Sequence, residues 1–256
     1  MELSKTITAK TQALRLLNKE EHTCPCMREE FFTILIDGEF CSVLSATPSN
    51  MDEFVIGHLI SSGLINNRYD IVSCRLCESN RFYVVPGEDI KLKIYTAGGV
   101  SQYIRSVSMI NREQLSIISS IRIYTPKEIN DICRITDDNK ELQRASALGF
   151  YAGTVQGDSI ISLFFDIREA NVLDKLIGSL VPENRFDEVL ITNTRPTAEI
   201  IQRCYTAKAP VGIFKGIPSN YGLYLANKSA ITVISTDKPR EYLIFADSAR
   251  RIRNLR

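Results

Sequence analysis

IISLFFDIREANVLDKLIG, residues Ile160–Gly178, is the stretch that decides the fold class of this chain. The apolar run up to Phe165 follows a Gly157-Asp158 turn and predicts a buried strand, whereas the apolar residues after Arg168 recur at helical spacing. A strand that passes directly into a helix is typical of α/β sheets, which bind ligands beyond the carboxyl ends of their strands. The polar residues at this junction are therefore candidate site residues: Asp166, Asn171, Asp174 and Lys175.

Two helix starts in the second half of the chain have both a ligand-binding and a structural interpretation. At the first, Asp166 would simply cap the helix, and Asp174 and Lys175 would lie on its solvent-exposed face. At the second, Arg195 and the free backbone N–H groups of the helix start can hold a phosphate or a carboxylate. Arg195 can equally pair with Glu199 one helical turn later. The two segments by themselves leave these alternatives open.

The first third of the chain predicts a β-rich region of antiparallel type. Glu29–Ile36 and Phe40–Ala46 alternate as two strands joined by an Asp-Gly hairpin turn. Pro48-Ser49-Asn50 then predicts the capped start of a helix. Further strands are expected at Ile71–Leu76, Phe82–Val85 and Ile90–Tyr95.

The rest of the chain predicts helices followed by an α/β layer. Helical periodicity runs from Met109 to Leu148, and from Gly149 onward strands and helices alternate, which indicates helices packed on a mixed sheet. We therefore divide the chain into an N-terminal extension (residues 1–28), a β-rich domain (29–108) and an α/β domain (109–256). The expected strands after Gly149 are Tyr151–Val155, Ile160–Phe165, Val189–Thr192, Val211–Phe214, Ile231–Ser235 and Tyr242–Phe245, and the expected helices are Arg168–Leu180, Pro196–Ala207 and Ser219–Asn227.

Composition excludes several classes of protein. The 256 residues carry a net charge of only +1, with acidic and basic residues interspersed, so no global field favours a nucleic acid or a membrane as partner. The sequence holds no apolar run long enough to span a bilayer and no signal peptide, which predicts a cytoplasmic protein. Seven cysteines, an odd number, do not indicate a disulfide framework.

Cysteine and histidine positions limit the chemistry that is available. Cys74 and Cys77 form a C-x-x-C pair, but residues three apart on a strand point to opposite faces, and zinc would need two further ligands. The next thiols, Cys24 and Cys26 beside His22, are distant in sequence, so no bound zinc or other metal is expected. We interpret this N-terminal segment as mobile, with thiols that react if a neighbouring cation activates them. No phosphate-binding P-loop or dinucleotide-binding glycine motif is present in the sequence.

Taken in order, these segments resemble the FdhD/NarQ family, accessory sulfurtransferases that prepare the molybdenum cofactor for formate dehydrogenase. Phe32–Ile65 resembles the opening of that family, with a hairpin, a Thr-Pro before a helix and a Gly-Leu-Ile turn after it. Phe165–Gly178 resembles a later block, and the similarity extends over Phe31–Ile252. The residues that match the two later blocks of the family are Asp166, Asn171, Asp174, Lys175, Gly178, Arg195 and Glu199.

The chain departs from the family pattern at positions that would carry chemistry. The family holds sulfur as a persulfide on a Cys-Gly-x-Cys loop, and the equivalent loop here is Gly98-Gly99-Val100-Ser101, with Gly98 and Ser101 in place of the two cysteines. Because a serine cannot form a persulfide, sulfur cannot be relayed through this loop. A family histidine is replaced by Tyr151. In the block around Asp166, four family residues are replaced by Phe165, Arg168, Glu169 and Ala170.

The resemblance implies a fold, a ligand and partners. The fold would be mixed α/β (α+β overall), with a cytidine-deaminase-like three-layer α/β/α domain after a smaller β-rich domain, in a homodimer. The ligand would be molybdenum bis(molybdopterin guanine dinucleotide), bound as a substrate, or a GDP-like nucleotide. The partners would be a cysteine desulfurase and the formate dehydrogenase apoprotein. The cofactor-binding residues would be Gly98, Gly99, Ser101, Asp166, Asn171, Asp174, Lys175, Arg195, Thr236, Asp237, Lys238, Pro239 and Arg240.

Three functions are consistent with this comparison. The first is an FdhD-like accessory protein for maturation of a molybdenum-dependent formate dehydrogenase, in which any remaining sulfur transfer would use Cys74 or Cys77. The second is a non-catalytic chaperone or regulator that holds a nucleotide or the cofactor. The third is a different enzyme on the same scaffold, with Tyr151 and Glu169 as replacement acid or base groups. The first two require the Gly98–Ser101 loop to face the loops of Asp166 and Arg195 across a cavity.

Overall fold

The structure is a computed structural model that describes residues 7–16, 19–87, 96–97, 100–101, 115–120, 122–180, 188–238 and 240–253. Its strands are β1 (Thr8–Leu14), β2 (Glu21–Met27), β3 (Glu30–Ile36), β4 (Glu39–Ala46), β5 (Ile71–Cys77), β6 (Arg81–Pro86), β7 (Thr96–Ala97), β8 (Val100–Ser101), β9 (Phe150–Gln156), β10 (Ser159–Asp166), β11 (Val189–Thr192), β12 (Val211–Lys215), β13 (Thr232–Lys238) and β14 (Glu241–Ala246). Its α-helices are α1 (Met51–Ser61), α2 (Pro126–Asp138), α3 (Lys140–Leu148), α4 (Glu169–Ser179), α5 (Ala198–Thr206) and α6 (Asn220–Ser229).

A six-stranded mixed sheet, in the order β10-β9-β11-β12-β13-β14, organises the second half of the chain. β11, β12 and β13 are parallel, and β10 runs in the same direction because β9 lies antiparallel to both β10 and β11. Helices α4, α5 and α6 follow β10, β11 and β12, so they begin where these strands end. We call this end of the sheet the carboxyl edge; the strands that finish there end at Asp166, Thr192, Lys215 and Lys238.

Helices cover both faces of this sheet, which gives a three-layer α/β/α arrangement. α4 and α5 bury Leu173 and Ile200 against one face, and α2 buries Ile132 against the other. Neighbouring strand residues alternate between the layers, as Leu190 and Ile191 do on β11, because successive side chains of a strand point to opposite faces. Every strand and helix expected from β9 onward is present, and the predicted α/β class is confirmed.

A second sheet, in the order β4-β3-β6-β5, packs one face on α1 in the first half of the chain. The predicted hairpin of β3 and β4 is confirmed, but the region is not wholly antiparallel, because β3 and β6 are parallel. The reason is that α1 carries the chain from the end of β4 to the opposite end of the sheet before β5 begins. The capped start expected for α1 is also wrong, since Asn50 has a left-handed backbone with φ of 51° and makes no side-chain cap. The strand expected at Ile90–Tyr95 lies outside the described residues.

Two further expectations are corrected. The segment interpreted as mobile, His22–Cys26, lies in β2, which pairs along its whole length with β1 and places Met27 in the core beneath α2 and α3. The helical periodicity after Met109 is helical only from Pro126 onward among the described residues. Before it the described residues have no regular secondary structure apart from a β-bridge between Tyr124 and Ile252. A capping box, in which Thr125 and Glu128 exchange hydrogen bonds, then starts α2.

Helices α1 and α4 join the two sheets through a contact between their backbones. A Cβ atom added to Gly57 of α1 would lie 1.7 Å from the carbonyl oxygen of Asp174, and one added to Gly178 of α4 would lie 1.9 Å from the carbonyl oxygen of Glu53. Only glycine permits such a close approach. The β4–α1 connection is therefore held against α4, next to the carboxyl edge. Within the described part of the chain, no helix has the length and apolarity needed to cross a membrane.

Candidate functional site

Asp166, the last residue of β10, forms a buried ion pair with Lys175 of α4. The Asp166 Oδ2 and Lys175 Nζ atoms are 2.8 Å apart, and both side chains are fully buried. The Asp166 carboxylate also accepts the backbone N–H groups of Thr47 (3.1 Å) and Arg168 (3.0 Å) and the side-chain amide of Asn171 (3.1 Å). Buried charges persist when they are paired and hydrogen-bonded in this way.

The same network fixes the β4–α1 connection to α4. Lys175 donates to the backbone carbonyls of Thr47 (2.9 Å) and Phe165 (3.0 Å), and Asn171 donates to the carbonyl of Ser45 (2.7 Å). Burial lowers the pKa of Lys175 below its ordinary value, although the Asp166 carboxylate opposes this shift. The expectation that Lys175 lies on a solvent-exposed face is therefore wrong, because its partners come from the end of β10 and from the β4–α1 connection.

Asp174 is equally buried and joins α4 to α5 and α1. Its carboxylate accepts from Arg203 Nε (2.9 Å) and Nη2 (3.3 Å), and His58 Nδ1 lies 3.4 Å away. Burial raises the pKa of Asp174, but Arg203 and His58 outweigh it, so that the pKa lies below its ordinary value. Glu199 pairs with Arg203 at 3.0 Å. The expected exposure of Asp174 is wrong, and the partner of Glu199 is Arg203.

Arg195 is exposed at the carboxyl edge, against the loop that follows β12. Its Nε atom would lie 3.4 Å from a Cβ atom placed on Gly216, whose φ of +82° is a left-handed conformation that favours glycine. The Gly216 N–H donates to the carbonyl of Thr236 (2.5 Å), and its carbonyl accepts from Ser235 Oγ (2.6 Å). The loops after β11 and β12 therefore meet the end of β13 at Gly216, and Arg195 and Thr236 both border this residue.

Three helix starts surround this point. Thr197 caps α5 and Ser219 caps α6 through their side-chain oxygens, whereas Arg168 at the start of α4 makes no side-chain cap. Helix N-termini carry a partial positive charge and attract anions. In the first turn of α4, Glu169 accepts the backbone N–H of Arg195; burial and the nearby Glu199 raise the pKa of Glu169, and Arg195 opposes them. The carboxyl edge thus combines an exposed guanidinium with a carboxyl group that protonates more readily than usual.

The sequence profile of the FdhD/NarQ family matches residues 27–252, which include both sheets and the whole carboxyl edge. This chain belongs to the FdhD/NarQ family. The chain is similar to proteins named sulfur carrier protein FdhD. The one from Bacillus licheniformis is 26% identical over 243 residues, covering 88% of this chain and 89% of the relative, and the one from Staphylococcus aureus strain MRSA252 is 28% identical over 234 residues, covering 85% and 86%.

A solved structure has the same fold. It is the crystal structure of a protein from Desulfotalea psychrophila that is described as a formate dehydrogenase accessory protein. The TM-score is 0.73 at 19% sequence identity, and the match covers 95% of this chain and 98% of that one. At this level of identity the likeness establishes a shared architecture for this FdhD/NarQ protein, and the chemistry has to be argued from its own residues.

Several predicted site residues of this FdhD/NarQ protein fall outside what the structure describes. Gly98, Gly99 and Pro239 are among the undescribed residues. That the Gly98–Ser101 loop faces Arg195 therefore stays a prediction. Ser101 belongs to β8, where its backbone pairs with Thr96 of β7. Asp237 lies within β13, but its side chain is not described.

The segment Thr236–Arg240, expected as a loop, is part of strand β13 as far as Lys238. A polar cluster that sequence reasoning missed joins this segment to α2. Arg240 pairs with Asp138 at 3.0 Å. Beside it, Lys215 Nζ lies 2.5 Å from both Asp137 Oδ1 and the Tyr242 hydroxyl, and that hydroxyl donates to Asp137 at 2.9 Å. A cavity of about 260 Å³ opens next to this cluster. The one feature of the sequence that could have indicated this cluster is the position of Lys215 at the end of a buried strand.

The candidate catalytic groups are placed very differently. Cys74 faces the core opposite Val84, and burial and Asp52 raise its pKa to about 12, whereas Cys77 is exposed at the end of β5. The prediction that these two thiols point to opposite faces is confirmed. Tyr151 is 1% exposed within the core, and burial raises its pKa, so its hydroxyl is not available as an acid or base. Among the described residues, no three His, Cys, Asp or Glu side chains are arranged to hold a metal ion.

Proposed function

We propose that this protein is an accessory protein for the maturation of a molybdenum-dependent formate dehydrogenase, and that it binds a pterin-guanine dinucleotide cofactor at the carboxyl edge. The observation that carries the proposal is the exposed Arg195 guanidinium beside Gly216, surrounded by the N-termini of three helices. A dinucleotide cofactor carries a pyrophosphate, and this combination of a guanidinium with helix N-termini is typical of phosphate sites. The names of the relatives support the accessory role.

The buried network would support the site by holding its loops rather than by touching the ligand. Asp166 and Lys175 are fully buried and bonded to each other, and Asp174 is bonded to Arg203. Asp166 fixes the start of α4 to the β4–α1 connection, and Asp174 joins the middle of α4 to the C-terminal half of α5. The exposed cationic side chains at this edge include Arg168, Arg195, Lys238 and Arg240. These cations are the ones that would contact a bound phosphate.

Sulfur handling separates two versions of this function. The Gly98–Ser101 loop contains no cysteine, so this protein would not carry sulfur there as a persulfide. Either another thiol carries the sulfur, or the protein holds the cofactor as a non-catalytic chaperone. The partners under both versions are the formate dehydrogenase apoprotein and a second copy of this chain in a homodimer, and a cysteine desulfurase is added under the first. We place these events in the cytoplasm.

A titration with GDP tests the binding site. We expect GDP to bind and to raise the unfolding midpoint, because a ligand that binds the native state stabilises it by about 2.7 kcal/mol at a hundredfold excess over Kd. Arg195→Ala should weaken GDP by about tenfold or more, since a hydrogen bond to a charged group contributes about 1.5–3 kcal/mol. Arg144→Ala, which removes an exposed arginine of α3, is the matched control. Equal affinities in the Arg195 and Arg144 variants would contradict the site, and an absence of any GDP binding would overturn the function.

A further inference from the structure

We propose that Cys24 and Cys26 of β2 form the site at which this protein accepts a sulfane sulfur atom. The inference rests on the proposed function, because it assigns a carrier for the sulfur that the Gly98–Ser101 loop cannot hold. The two cysteines precede Met27, the first residue that the family profile matches, so membership of the family does not assign them. Their place in the fold carries the proposal.

The two thiols lie side by side on one face of a strand. Residues i and i+2 of a strand point to the same side, so Cys24, Cys26 and His22 form one row along β2. The hairpin register puts Thr11 opposite Cys24 and Ala9 opposite Cys26, and these small neighbours leave both thiols half-buried rather than covered. Neither cysteine is in a disulfide.

The end of β2 lies beside the carboxyl edge. A Cβ atom added to Gly149 would lie 2.8 Å from the carbonyl oxygen of Asp166 and 3.3 Å from Cγ of Met27, so Met27 lies beside the end of β10. Cys26 is the residue before Met27, and Cys24 lies about 10 Å from Met27 at a rise of about 3.3 Å per residue. The pair therefore lies on a strand whose last residue packs beside the end of β10.

The other five cysteines lack this arrangement. Cys41, Cys133 and Cys204 are buried, and burial raises the pKa of each thiol, to about 11 for Cys41 and about 12 for the other two. Cys74 faces the core of the four-stranded sheet. Cys77 is exposed, but its cross-strand neighbour is Arg81 and it has no second thiol on its face. A second thiol within reach can take the sulfur over from the first by the same exchange.

The loading step is an exchange without net oxidation. The donor is a persulfide, R–S–SH. The Cys24 thiolate attacks the terminal sulfur, the S–S bond of the donor breaks, a new S–S bond forms on Cys24, and the donor leaves as a thiolate that takes up the proton. The same exchange moves the sulfur to Cys26 and regenerates the Cys24 thiol. The two Cα atoms are about 6.6–6.8 Å apart on an extended strand, which is within reach of this exchange.

Peptide mass spectrometry tests this proposal on the full chain. The protein is incubated with glutathione persulfide, alkylated and digested with trypsin, which separates Cys24 and Cys26 (Glu20–Arg28) from Cys74 (Tyr69–Arg75) and Cys77 (Leu76–Arg81). We expect one added sulfur atom to appear first on Glu20–Arg28. Cys24→Ser/Cys26→Ser should lose this early labelling, and Cys77→Ser should retain it. Labelling that appears first on Leu76–Arg81, or equally fast on both peptides, would overturn the assignment.

GDP affinity distinguishes failure of the sulfur site from failure of the proposed function. Cys24→Ser/Cys26→Ser should unfold at the same temperature as the wild type and bind GDP unchanged, because β2 does not contribute a side chain to the Arg195 region. Normal GDP binding without sulfur on Glu20–Arg28 would overturn the cysteine site alone. Early sulfur on that peptide without GDP binding would overturn the cofactor function and leave the sulfur-accepting chemistry in place.

Discussion

Replacing Lys175 with methionine should lower the free energy of unfolding by about 3–5 kcal/mol, the range observed when one partner of a buried ion pair is removed. The ammonium group lies 2.8 Å from the Asp166 carboxylate in a fully buried position, so no water can take its place. The carboxylate would keep its three N–H donors but lose its only counter-charge among the described residues. The variant would also leave the carbonyls of Thr47 and Phe165 without the lysine as donor.

Urea unfolding at neutral pH, followed by circular dichroism, measures this loss. Lys140→Met is the matched control, because Lys140 is exposed at the start of α3 and its replacement should change stability by no more than about 0.5 kcal/mol. Asp166→Asn combined with Lys175→Met should be more stable than Lys175→Met alone, since no uncompensated charge then remains buried. The reasoning is refuted if Lys175→Met stays within about 1 kcal/mol of the wild type, or if the double variant is no more stable than that single one.

Three further predictions follow from the packing and the pKa shifts. Gly57→Ala and Gly178→Ala should each destabilise the protein by about 1–3 kcal/mol or more, because the added methyl group would meet a backbone oxygen 1.7 or 1.9 Å away; wild-type stability in urea would contradict this. The pKa of Asp174 in the folded protein is lowered although burial opposes this shift. The ionised carboxylate therefore stabilises the fold at every pH above 3.8, the ordinary pKa of an aspartate. This contribution to stability is lost as the pH falls through the lowered pKa. The difference in unfolding free energy between wild type and Asp174→Asn should therefore shrink below pH 3.8, and a difference independent of pH would count against it. Iodoacetamide should modify Cys77 well before Cys74, whose pKa is raised to about 12; peptide mapping that finds both alkylated together would disprove the burial argument.

Regular periodicity made most of the fold predictable. The β10–α4 junction at Asp166 and every element from β9 onward follow from alternation and helical spacing, since each element buries one face. The parallel direction of β6 relative to β3 could not be predicted in this way, because strand patterns alone do not tell which end of the sheet a crossover reaches. The non-helical segment before Thr125 was also missed. Its contact with Ile252 joins parts of the sequence that no local pattern relates.

The site was harder to predict because burial of charge depends on distant partners. Asp174 and Lys175 have the sequence pattern of an exposed helix face, yet Lys175 bonds to Thr47, which is 128 residues away in the chain. A local pattern cannot distinguish a solvated lysine from one that is paired inside the protein. Arg195, in contrast, was placed at a helix start by its position after a strand, and its exposure agrees with that expectation. The pairing of Glu199 with Arg203 could not be separated from a pairing with Arg195 by spacing alone.

The glycine contact between α1 and α4 has a mechanical consequence. Helices that touch through side chains can slide or rotate by repacking rotamers, but at Gly57 and Gly178 the two backbones meet directly and leave nothing to rearrange. Sliding or rotating α1 against α4 would therefore drive backbone into backbone at these two glycines, so the contact opposes relative movement of the two sheets. Under the proposed function, a molecule bound at the carboxyl edge would be held by the loops of that edge.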